Sequence, residues 1–174
     1  MFKGADFRLE LPSSIDAWLK CHLAMILPLA GAIYAANCDN YRLACTPGLL
    51  RLIARGLRES FAVLRELHHP VLPRRLRIVT RIPERLTVRL LKKRLAGKEA
   101  EIGLAGHARA ARAEVQHLAG EFKIMMEQAK IQTPHLDYLM RFLDPTVPLV
   151  NEGTDHISLD RQSQMVGSAE LATL

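Results

Sequence analysis

The spacing of apolar and polar positions divides this chain into helices. Over residues 49–68, apolar side chains fall at Leu50, Ile53, Leu57, Phe61, Leu64 and Leu67. Steps of three and four predict an amphipathic helix. Upstream, residues 17–36 read "AWLKCHLAMILPLAGAIYAA" and are apolar on almost every side. A helix is predicted there, capped by Ser13 or Ser14, with Asp16 in its first turn, running to about Asn37. Pro28 sits in its middle, removes one backbone hydrogen bond and is expected to kink it. Residues 37–48, "NCDNYRLACTPG", read as a polar break that closes with Thr46 as a cap and Pro47 at the first helical position. Residues 73–98 read as helical with a restart at Pro83. They interleave two stripes, Arg74, Arg77, Arg81, Arg85 and Arg89 against Val79, Ile82, Leu86 and Leu90. After a break over 97–106, a long helix is expected over 107–130, with Ala111, Val115, Leu118, Phe122 and Met125 or Met126 on its apolar face. Thr133 and Pro134 then open a short final helix.

These elements predict an all-α protein of five or six helices with no internal repeat. Its 174 residues suit one domain better than two. The helical domain is placed at 14–144. A short leader, 1–13, precedes it. Periodicity is lost over 145–174, which reads as a loosely ordered tail.

Two classes are set aside by what the chain lacks. A bilayer span needs about 20 apolar residues, whereas the clean apolar run covers only 23–36, with Lys20 and His22 just before it. A buried core helix accounts for the same composition, so no membrane is expected. The segment 103–106, "GLAG", has neither a preceding strand nor the full glycine spacing of a dinucleotide loop. The seven histidines include no HxxxH or HExxH pair, so no metal site is expected. Three cysteines without CxxC spacing read as reduced thiols of a cytoplasmic protein.

Charge adds one contrast. Residues 51–98 hold fourteen Lys and Arg against three Glu, while the whole chain is only +6, so the remainder is net acidic. The basic stretch reads as a solvated helix face, which leaves open a non-enzymatic interaction protein that uses an arginine-rich face for acidic partners. With few aromatics to stack on bases, no specific nucleic-acid partner is expected.

Lys20 stands out because it interrupts a helix built for burial. Its ammonium needs water, a carboxylate or a substrate. Snorkelling to solvent meets that need, and so does a role as proton donor or anchor for a ligand oxygen. Glu114, on the long helix, is a candidate counterpart.

Trp18, Lys20 and Pro28 in "AWLKCHLAMILPLA", together with Glu114, Val115, Gly120 and Pro134 in "AEVQHLAGEFKIMMEQAKIQTPHL", resemble the C-terminal helical domain of the ketopantoate reductase (2-dehydropantoate 2-reductase) family of pantothenate biosynthesis. The resemblance covers roughly residues 7–142 and implies the all-α fold of the C-terminal domain of 6-phosphogluconate dehydrogenase-like reductases. It implies that Lys20 is the general acid for a small 2-oxo acid and that Glu114 helps bind the substrate. It also implies a homodimer and NADPH as the hydride source. No residue here matches the family's nucleotide-binding motif, so the cofactor would belong to a Rossmann domain or partner chain, without which this chain is inactive. By this resemblance, family asparagines fall on Ala24, Pro28 or Leu27, Ala119 and Leu136, which points to a bulkier or more apolar substrate than ketopantoate.

Overall fold

The computed structural model describes residues 14–78 and 81–159, apart from the side chains of Arg74 and Arg75. The leader, Ser13, Val79 and the tail beyond Leu159 lie outside the described residues. Every regular element within them is helical. Helix α1 (Ile15–Ala35) starts at Ser14, whose Oγ accepts the Ala17 amide at 3.2 Å. It ends where Asn37 and Cys38 take left-handed backbone angles, at φ +60° and +55°. The expected polar break contains a short helix, α2 (Asn40–Ala44), because the Asp39 carboxylate accepts the Tyr41 and Arg42 amides. Helix α3 (Pro47–Glu66) carries the apolar stripe read from the sequence: Leu50, Ile53, Leu57, Phe61 and Leu64 are all buried.

The basic segment departs further from expectation. A single 3₁₀ turn (Arg74–Ile78) precedes helix α4 (Glu84–Leu95). Leu86 and Leu90, expected on an apolar stripe, are 47% and 48% exposed. Helix α4 instead turns Thr87, Val88, Leu91 and Leu95 inward, towards α3 and α2. The stripe fails because Leu91 and Leu95 form a second line of apolar residues, nearly opposite the first on a 3.6-residue turn. The α2 side chain Asn40 secures the end of α4, donating to the Leu95 carbonyl at 2.8 Å.

The break expected over 97–106 is also corrected. Short helix α5 (Lys98–Ala100) runs into a π-helical turn (Glu101–Gly106) and then α6 (His107–Ala110). Leu104, Ala105 and Ala108 reach the core there, and their burial outweighs the helix-weakening of two glycines, about 1 kcal/mol each. The long helix therefore begins later, as α7 (Arg112–Ala129), and stops at Lys130 with φ +53°. Its start is pinned by Arg112, which donates to the Phe142 and Leu143 carbonyls and lies 3.9 Å from the centroid of the Tyr34 ring. Helix α8 (Pro134–Met140) follows Thr133 and Pro134 as expected.

Helices α1, α3 and α8 pack against one another at the centre. Gly31 makes this possible: a Cβ there would stand 2.3 Å from the Leu139 carbonyl oxygen. One turn earlier, the Pro28 ring faces Gly56 of α3. Helix α1 is long and apolar enough to cross a membrane, yet 61% of its most apolar window is buried within the fold. Residues 145–159 form no helix, as expected of the tail, but they are fastened to the domain. Val150 donates its amide to the Ala35 carbonyl, and Arg42 donates to the Val150 carbonyl at 2.7 Å. Gly48 donates its amide to Thr154, supplying the hydrogen bond that the Thr46 side chain does not give to α3.

Candidate active-site groove

The first half of α1 and the length of α7 diverge enough to leave a groove of about 520 Å³. Leu19, Leu23 and Ile26 of α1 form one apolar wall, and Val115, Leu118 and Met125 of α7 form the other. Helical spacing explains both rows, since positions three, four and seven apart share a face. Of the expected apolar face of α7, Ala111, Val115, Phe122 and Met126 are buried, whereas Leu118 and Met125 are half-buried along this groove.

Lys20 and Glu114, the two candidate site residues, line this same groove from opposite helices. The carboxylate that pairs with Lys20, however, is Asp16, with Nζ 2.8 Å from Oδ2. The signal for that partner was present in the sequence, because Asp16 and Lys20 are four apart on a helix. The Lys20 side chain is 28% exposed and that of Asp16 is 72%. The aliphatic stem of Lys20 thus lies against the fold while its charge sits at the mouth of the groove. Glu114 is exposed on the α7 side.

The mouth is more polar than the sequence suggested. His22 lines it and stacks on Trp18, with ring centroids 5.3 Å apart and planes 8° from parallel. His107 enters from α6, and Glu121 from α7. Neither histidine was marked as functional, since no sequence spacing connects residue 22 with residue 107. Ala24, Pro28, Ala119 and Leu136 are all buried. The groove therefore has an ammonium and carboxylates at its mouth and aliphatic walls between them. Such a site suits a ligand with one polar end and an apolar body.

Elsewhere, among the described residues, no group of three His, Cys, Asp or Glu gathers where it could hold a metal ion. The "GLAG" residues belong to the π-helical turn. Compared with models of protein families, with curated proteins and with solved structures, the chain matches none of them.

Proposed function

We propose that this chain is the substrate-binding and dimerisation domain of a ketopantoate reductase-like oxidoreductase that reduces a 2-oxo acid with NADPH. The observation that supports it is that Lys20 and Glu114 line one groove from opposite helices. Hydride transfer to a ketone carbon leaves a negative charge on its oxygen. The Lys20 ammonium stabilises that oxyanion and delivers the proton that completes the hydroxyl group. Asp16 holds the ammonium in position, and Glu114 binds the hydroxyl-bearing end of the substrate. The aliphatic walls favour a substrate bulkier or more apolar than ketopantoate. NADPH is expected on a Rossmann domain or partner chain, and the cytoplasm is the compartment that fits this chemistry.

Native mass spectrometry on the protein isolated from its own source tests the assembly. A complex with a second, Rossmann-sized chain or with bound NADPH is expected. That complex should then oxidise NADPH in the presence of branched 2-oxo acids, and Lys20→Ala should lower kcat by roughly 100-fold or more. Unchanged turnover in the variant would remove Lys20 from the chemistry. A nucleotide-free monomer or dimer would favour the second reading, an interaction protein built on its basic face, which the exposed cations of α4 support.

A further inference from the structure

The outward face of α4 pairs exposed leucines with exposed cations. Leu86 and Leu90 stand one turn apart on the side opposite Leu91 and Leu95, which pack inward. Arg85, Arg89, Lys93 and Arg94 are exposed around them. The one carboxylate of this helix, Glu84, is engaged elsewhere. It receives the Arg55 guanidinium at 2.9 and 3.1 Å and lies 3.9 Å from Arg58. The cations beside the leucines therefore keep their positive charge uncancelled by an acid of their own helix. Ile78, in the preceding 3₁₀ turn, is 58% exposed and adds a third apolar side chain to the basic segment.

We propose that this face docks on an anionic lipid surface, as a peripheral contact and not a span. Charge complementarity and side-chain form both support that occupant. Arginine and lysine have long aliphatic stems, so they reach headgroup phosphates while leucines between them enter the acyl boundary. A protein partner generally requires an apolar interface core wider than two leucines, with charged residues kept to the rim. Nucleic acid would attract the cations but has no use for Leu86 and Leu90. The sequence marked the cations of this face but not its leucines, because it assigned Leu86 and Leu90 to an apolar stripe.

Co-sedimentation with vesicles tests the proposal. Phosphatidylcholine vesicles containing about 30% phosphatidylserine should bind the full chain, and pure phosphatidylcholine vesicles should not. Leu86→Ser with Leu90→Ser should weaken binding by roughly tenfold while circular dichroism stays unchanged, because both side chains lie outside the core. Arg85→Gln with Arg89→Gln should weaken it by a similar factor. Absence of binding to the phosphatidylserine vesicles at low salt would overturn the proposal. So would binding that the leucine variant leaves intact, or equal binding to an acidic polypeptide such as polyglutamate, since either would reduce the face to a general polyanion surface.

Discussion

Where α1 meets α8, Gly31 brings it so close to the Leu139 backbone that a methyl group would not fit. Where the same helix runs beside α7, Leu19, Leu23, Leu118 and Met125 hold the two apart and leave a groove. The first contact is made with almost no side chain and seals the core. The second is made with long side chains and leaves a cavity between the helices. Helix α1 thus divides its tasks along its length, and substitutions at the two contacts should have opposite signatures. Gly31→Ala should cost about 2–3 kcal/mol of stability, since the added carbon meets backbone that cannot move aside. A thermal melt that shifts little would show that α8 can retreat.

Next in size is the anchor of α8 itself. Glu59 of α3, with 14% of its side chain exposed, accepts the Leu136 amide at 2.8 Å, the His135 amide at 3.3 Å and His135 Nδ1 at 2.5 Å. Glu59→Ala should cost about 1–3 kcal/mol in denaturant unfolding, because two amides at the start of α8 lose their acceptor. Glu59→Gln, which keeps one acceptor oxygen, should lose less.

On the groove side the stability changes shrink. Leu118→Ala, at a half-buried position, is expected to cost under about 1 kcal/mol, yet to raise KM for an apolar 2-oxo acid. An unchanged KM would place the substrate elsewhere. Lys20→Ala removes an exposed ion pair and should alter stability by less than about 0.5 kcal/mol, so lost turnover would not be a folding effect.

The smallest effect belongs to pH. The hydrogen bond from Arg55 holds the Glu84 carboxyl below its ordinary value of 4.5, and burial opposes it only in part. The contribution is full above that value and fades as pH falls through the lowered folded pKa. Because Arg55 is 43% exposed, solvent screening limits the contribution to about 0.5 kcal/mol. Arg55→Gln should flatten that part of an acid-unfolding curve.

The sequence disclosed those features that depend on one helix at a time. The stripe of α3, the Ser14 and Thr46 starts, and the faces bearing Lys20 and Glu114 all follow from local periodicity. Features set by competition between neighbours stayed hidden. Leu86 and Leu90 match core spacing as well as Leu91 and Leu95 do, and only packing against α3 and α2 decides which pair turns inward. Likewise, three glycines in residues 97–106 read as a break because their local cost is visible while the burial of Leu104, Ala105 and Ala108 is not. His107 joined the groove unannounced, since its approach depends on the path of that irregular segment.

The fastening of residues 145–159 bears on how the chain is made. The Ala35 carbonyl and the Gly48 amide are synthesised before their partners, Val150 and Thr154, which emerge more than a hundred residues later. A chain growing from its N-terminus holds α1 and α3 beside each other while the end of one and the start of the other still depend on water. Residues 145–159 therefore act as a latch, joining groups that stand more than a hundred residues before them in the chain.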